Sequence, residues 1–211
     1  MTMTNFSNHP STQAPRIAVV LAGGRGTRLG ATNKALRLLA GRPLLQHVLD
    51  RIRPQVDRVV IGGGARAAEL AGFGVEVVAD ASDAEHLPGS FRGLHAAFML
   101  ASGSGAESVL TIPTDTPFLP RGLAQALGVG AVAIARDDAR IHAIIGCWSR
   151  EAAERALAAL AAYNNESVEA FARGRGAAVV PVQLRRDESF LNVNTAEDLA
   201  AAEEFLRKGR V

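Results

Sequence analysis

Five consecutive apolar residues, Ile17 to Leu21, run almost directly into the pair Gly23-Gly24. A run of that length, rich in β-branched residues and without polar alternation, belongs to a strand covered on both faces, and so points to a parallel sheet flanked by helices. Without a Cβ, the two glycines let backbone N–H groups come close to a ligand. Gly26, Thr27, Arg28 and Gly30 extend them into a loop dense in amide donors. Arg28 offers a bidentate fork to phosphate oxygens, and Lys34 adds a mobile point charge at the far end of the loop. A glycine turn with two cations after a first strand suits a nucleoside triphosphate. The competing reading is a plain strand-to-helix turn, since two familiar phosphate patterns do not fit. GxGxxG begun at Gly24 meets Leu29 where it needs glycine, and no Gly-Lys-Ser/Thr tripeptide occurs.

The rest of the chain repeats the alternation. Helical spacing of apolar residues follows Pro43 as far as Ile52. A second strand at Val59 to Ile61 ends in Gly62-Gly63-Gly64, and a short alanine-rich helix from Ala65 to Ala71 leads to a third strand from Val75, closed by Asp80. A long loop precedes a helix around Phe91 to Leu100, and a fourth strand, Val109 to Ile112, runs into Pro113-Thr114-Asp115-Thr116-Pro117. A helix is expected over Leu119 to Leu127. Two strands, Ala131 to Ala135 and Ile141 to Trp148, flank a charged turn at 136–140. Helices at Glu151 to Ala162 and Val168 to Arg173, a strand from Ala177 to Val182 and a last helix after Thr195 complete the pattern. The expected class is α/β, in three α/β/α layers with a mostly parallel central sheet and ligands at the carboxyl ends of the strands.

At 211 residues the chain is long enough for a sizeable core, and no linker or repeat divides it, so residues 16–211 are expected to form a single domain. Residues 1–15 are polar, lack the basic start and apolar run of a secretory signal, and are expected to be a disordered tail. A net charge of +2 argues against an extended nucleic-acid footprint. No apolar run nears the roughly 20 residues that span a bilayer, which argues against a membrane partner. The single cysteine, Cys147, excludes an internal disulfide and fits a reducing, cytoplasmic compartment. Cys147 and Trp148 read as core residues. His142, at the start of a strand, reads either as a structural residue or as a substrate contact.

Asp115 stands two residues from a proline on either side, at the end of a strand, where a restricted backbone holds a carboxylate in position for a metal. The alternative is a cap for the following helix. Mg²⁺, which takes one or two carboxylates together with phosphate oxygens and water, is the cofactor that this carboxylate and the glycine loop jointly suggest.

These residues resemble the molybdenum cofactor guanylyltransferases, within the Rossmann-like nucleotidyltransferases. The resemblance rests on LAGGRGTR at 21–28 with Lys34, GRPLLQHVLDRI from 41, Asp80 with PGSFRG at 88–93, PTDTPFLP at 113–120 and FLNVNTAEDL at 190–199. It implies transfer of GMP from GTP to the terminal phosphate of molybdopterin, with release of pyrophosphate, in a Rossmann-like nucleotidyltransferase fold. It further implies Arg28, Lys34 and Asp115 as catalytic residues and Asp115 as the Mg²⁺ ligand. Leu21, Ala22, Gly23, Gly24, Lys34, Gly62, Asp80, Asp115, Asn192 and Asn194 are the implied substrate-binding residues, and cofactor-biosynthesis or acceptor proteins the implied partners. Asn192 and Asn194 read equally as turn or cap residues. The sequence departs from the family pattern at Asn33, where Asp is usual, at Gly62, where Asn is usual, and in the 89–93 loop. A cytidylyl- or sugar-phosphate nucleotidyltransferase shares the phosphate loop and metal carboxylate, and a non-catalytic nucleotide-binding relative is the reading from another class.

Overall fold

The computed structural model describes residues 16–23, 33–128 and 130–209. The expected tail at 1–15, together with Gly24 and Arg28, lies outside the described residues.

The strands are β1 (Arg16–Leu21), β2 (Leu38–Leu39), β3 (Arg42–Pro43), β4 (Arg58–Gly62), β5 (Glu76–Val78), β6 (Ser108–Pro113), β7 (Val132–Arg136), β8 (Ile141–Ser149) and β9 (Ala178–Pro181). The α-helices are α1 (Leu44–Ile52), α2 (Gly89–Gly103), α3 (Leu123–Leu127), α4 (Arg150–Leu160), α5 (Val168–Arg173) and α6 (Ala196–Lys208). Among the described residues, seven strands form one sheet in the order β5-β4-β1-β6-β8-β7-β9, and β2 pairs with β3 in a small hairpin. β8 runs antiparallel to both of its neighbours, and the other pairings in the large sheet are parallel.

Successive residues of β1 serve opposite faces. Ala18 and Val20 join Leu45, Leu49 and Ile52 of α1 and Leu123 and Leu127 of α3 on one side. Ile17 and Val19 join Phe91, Leu94 and Phe98 of α2, Ala153 of α4 and Phe171 of α5 on the other. Both faces are therefore covered, which is why the strand reads as an unbroken apolar run. A third, smaller cluster of Leu39, Leu44, Phe118, Val193 and Ala202 anchors α6. No helix among the described residues is long and apolar enough to cross a membrane.

Three local expectations change. Residues 64–73 form 3-10 rather than α-helix. α3 starts at Leu123, not Leu119, because residues 120–121 are held by other segments: the Gln55 amide donates to Pro120 O and the Arg121 N–H donates to buried Glu188. β8 is also not a regular strand. Its pairing with β7 jumps from Ile134↔Gly146 to Ala135↔His142, so Ala143, Ile144 and Ile145 bulge out without partners on β7.

Candidate functional site

The chain passes from β1 to its neighbour β4, on to β5, and then crosses back to β6 on the other side of β1. The crevice at the carboxyl end of β1 is thus the topological switch point of the sheet, the usual ligand position in open α/β folds. Ala22 continues the parallel pairing, its N–H donating to Gly62 O at 2.8 Å, and Gly23 then meets Gly64. A Cβ on Gly64 would sit 2.9 Å from Gly23 Cα and 3.2 Å from Asp80 Oδ2, and Gly64 has φ +56°. Two main chains and a carboxylate therefore converge where no side chain intervenes, a cradle that glycine alone permits. Leu21 turns its side chain under α2 against Gly93, and its carbonyl accepts from Thr114 Oγ1 at 3.3 Å, which ties the cradle to the end of β6.

The second cluster begins at Asn33, where the described residues resume. Asn33 Oδ1 accepts from Ala35 N–H and starts the 3-10 turn Lys34–Leu36. Lys34 Nζ donates to Asp115 Oδ2 at 2.7 Å and to Asn194 Oδ1, and the side chains of Lys34 and Asp115 are each 18 % exposed. Thr116 Oγ1 bridges Asp115 Oδ1 at 3.3 Å and Asn192 Oδ1 at 3.4 Å. Main-chain bonds hold the two segments side by side: Val193 N–H to Asp115 O, and Ser189 N–H to Phe118 O. Asp115 caps no helix. Thr195 is the cap of α6, forming with Asp198 a reciprocal box in which Asp198 Oδ2 also accepts from Asn194 N–H. These two backbone N–H groups, that of Asn194 first, hold the Asp198 carboxyl below its ordinary range. Asn192 and Asn194 are thereby freed from capping, and their side chains face Thr116 and Lys34.

Beyond Asp115 a cleft of about 230 Å³ opens, with Asp115, Thr116 and Asn192 on one wall and the β8 bulge, His142 and Arg140 on the other. The bulge begins where β6 loses its partner. The last β6–β8 pair is Thr111↔Gly146, and Thr111 Oγ1 donates to Ile144 O at 2.7 Å. Cys147, as expected, is buried, and burial pushes its thiol up in pKa.

The structure thus brings Lys34, Asp115, Asn192 and Asn194 into one network and sets Leu21, Ala22, Gly23, Gly62 and Asp80 around the neighbouring cradle. Thr116 and Arg140 carry no such expectation from the sequence, and the threonine doublet of PTDTP was the available signal for Thr116. The Thr195–Asp198 pair, readable in sequence as a loose capping box with Asp for the usual Glu or Gln, forms that box.

Residues 18–179 match the MobA-like NTP transferase domain family. The chain is 41% identical over 193 residues to the molybdenum cofactor guanylyltransferase of Cereibacter sphaeroides, covering 90% of this chain and 96% of the relative. It is 38% identical over 187 residues to that of Acidiphilium cryptum, covering 88% and 93%. The fold is shared with molybdopterin-guanine dinucleotide biosynthesis protein A from Archaeoglobus fulgidus, with TM-score 0.66, 23% identity and coverage of 92% and 99%. It is shared also with Rv0371C from Mycobacterium tuberculosis H37Rv in complex with manganese, with TM-score 0.63, 20% identity and coverage of 90% and 98%. On the family match and the extent of identity with these relatives, the chain belongs to the molybdenum cofactor guanylyltransferases, nucleotidyltransferases of the MobA-like NTP transferase family.

Proposed function

We infer that residues 16–211 form one nucleotidyltransferase domain that transfers GMP from GTP to the terminal phosphate of molybdopterin, with Mg²⁺ at Asp115, in the cytoplasm. The observation that carries this reading is the position of Lys34 Nζ, held by Asp115 and Asn194 beside the glycine cradle at the switch point.

The donor set suits a hard cation. A carboxylate and the Asn194 amide oxygen hold an ammonium that already occupies a cationic position, and phosphate oxygens would complete the coordination that a single carboxylate leaves open. Among the described residues no cluster of three or more His, Cys, Asp or Glu competes as a metal centre. The manganese bound by the related Rv0371C supports a divalent ion in this fold. Mg²⁺ supplies charge neutralisation on the phosphates when bound.

The remaining work falls to the chain itself. GTP enters the cradle, where main-chain groups at Gly23 and Gly64 and the Asp80 carboxylate meet it, with Asp80 accepting from the N1–H and exocyclic amine of guanine. Arg28 and the Gly23-Gly24 amides take the β- and γ-phosphates, and Lys34 stabilises charge on the α-phosphate. An oxygen of the molybdopterin phosphate attacks Pα, the Pα–O bond to the β-phosphate breaks, and pyrophosphate departs. The attacking oxygen is already anionic, so no general base is needed and positioning dominates. Asn192 and Asn194 keep Asp115 and Lys34 in register.

The test is direct. Purified protein with α-labelled GTP, molybdopterin and Mg²⁺ is expected to yield a guanine dinucleotide and pyrophosphate in equal amounts. Absence of that product, with GTP intact, overturns the reading.

A further inference from the structure

The wall of the cleft formed by β8 carries none of the residues assigned above to the nucleotide. Three residues, Ala143 to Ile145, leave the β7 pairing and line the cleft, and His142 stands at the point where pairing resumes. His142 is 8 % exposed, and its ring lies against Phe190 with centroids 4.6 Å apart. Its Nε2 is 2.9 Å from Asp137 Oδ2.

Asp137 makes this arrangement informative. Its Oδ1 accepts from the N–H groups of Ala139 at 2.9 Å and Arg140 at 2.8 Å, and its own N–H donates to Arg140 O. Those bonds already close the β7–β8 turn, as Asp commonly does through its side chain. Oδ2 is not needed for the turn and is directed to the imidazole alone. A buried imidazole N–H needs an acceptor in any case, and a carboxylate, which can only accept, fixes Nε2 as the nitrogen that carries the proton and so fixes the ring edge that faces the cleft. With Nε2–H donated to Asp137, the ring nitrogen left over is Nδ1, which has no partner among the described residues. Arg140 lies on the same wall and is exposed. Ile144 and Ile145 line the same cleft and supply apolar surface.

We propose that His142 contacts the phosphate of the acceptor, that Asp137 is its positioning residue, and that the β8 bulge serves to bring this pair opposite Asp115. The proposal rests on the acceptor being molybdopterin, as argued above. His142 and Arg140 line the cleft together, where the guanidinium is a charge-assisted donor to phosphate oxygens and the fixed imidazole edge a polar contact beside it. The apolar bulge lies under the ring system that carries the phosphate. His142 moves no proton in transfer; it fixes the line of approach to Pα.

Equilibrium binding of molybdopterin and of GTP, each titrated calorimetrically into the full chain, separates this role from a structural one. His142→Phe, which preserves ring packing on Phe190, is expected to weaken molybdopterin about tenfold or more and leave GTP affinity unchanged. Asp137→Asn retains the carbonyl that closes the turn and loses the charge behind the imidazole. It is expected to weaken molybdopterin by a smaller factor, again without effect on GTP. If either variant binds molybdopterin as tightly as the unaltered protein, the proposal falls while the proposed reaction stands. Parallel loss of both ligands in the two variants would mark the pair as structural and also overturn it. If the unaltered protein binds GTP but not molybdopterin, the acceptor assignment itself fails, and this proposal with it.

Discussion

Lys34 and Asp115, 81 positions apart in sequence, meet in a 2.7 Å ion pair at the mouth of the site. The two groups that the sequence suggests for phosphate and for metal are thus in direct contact. With the proposed Mg²⁺ at Asp115, the ammonium and the ion share one carboxylate.

Removing the ammonium is therefore expected to act in opposite directions on two measurements. Lys34→Ala should bind Mn²⁺ more tightly than the unaltered protein when no nucleotide is present. It should also lower kcat by about 10²-fold with a smaller change in GTP affinity, since a preorganised charge acts mainly on the transition state. A loss confined to KM would contradict the role given to Lys34 at the α-phosphate.

Asp115→Ala is expected to abolish Mg²⁺-dependent transfer while the fold survives with some loss of thermal stability. The side chains of the pair are each 18 % exposed, so the ammonium left behind keeps some water and Asn194 Oδ1, and the loss should be about 1–3 kcal/mol. Circular dichroism melting alongside turnover at saturating Mg²⁺ checks both halves. Near-normal turnover would remove Asp115 from the mechanism.

Asp198 supports the site through the backbone. Its replacement by alanine removes the box that caps α6 and the acceptor for Asn194 N–H, and should cost about 1 kcal/mol at neutral pH. Its folded-state pKa is lowered from 3.8, so the stabilisation is present above the unfolded value and is lost as pH falls through the folded one. Urea unfolding at pH 7 and at successively lower pH below 3.8 should show the difference between unaltered and variant protein shrinking. A difference that persists at the acid end would mean that the carboxylate charge is not what the cap uses.

Base choice can be tested at Gly62, where the usual family residue is Asn. A Cβ there would meet its nearest neighbours, Val19 Cγ1 and Val20 O, at 3.7 and 3.8 Å, ordinary contact distances, so Gly62→Asn should fold normally. One added hydrogen bond to the base, on the order of 1 kcal/mol, should sharpen the preference for GTP over the other three triphosphates by about fivefold. CTP as the best substrate of the unaltered protein would favour a cytidylyltransferase instead.

The central strands β1 and β6 were readable because they are buried on both faces, so burial alone writes the pattern into residues such as Ile17 to Leu21. Asp115 and Lys34 were readable as separate groups, each in a local motif. That they touch was not, because the contact depends on how β6 and the 3-10 turn after the glycine loop come together in the sheet. The late start of α3 was hidden for a similar reason. Gln55 Oε1 accepts from Ala124 N–H across 69 positions, a cap supplied by a distant segment. The bulge in β8 was hidden too, since IHAIIGCW is as apolar as a regular strand and only its partners reveal the three unpaired residues.

The segment that carries Asn192 and Asn194 follows all the strands of the sheet in chain order, and it is tied to Asp115 and Phe118 by main-chain bonds rather than woven into the sheet. Synthesis therefore sets an order of maturation. A nascent chain extended as far as β9 holds every strand of the sheet together with Lys34 and Asp115, but not yet the Asn194 amide oxygen for the ammonium, nor the α6 that holds it there. A chain interrupted before residue 190 would carry every strand of the sheet and still lack the Asn194 oxygen that the proposed transfer sets on Lys34.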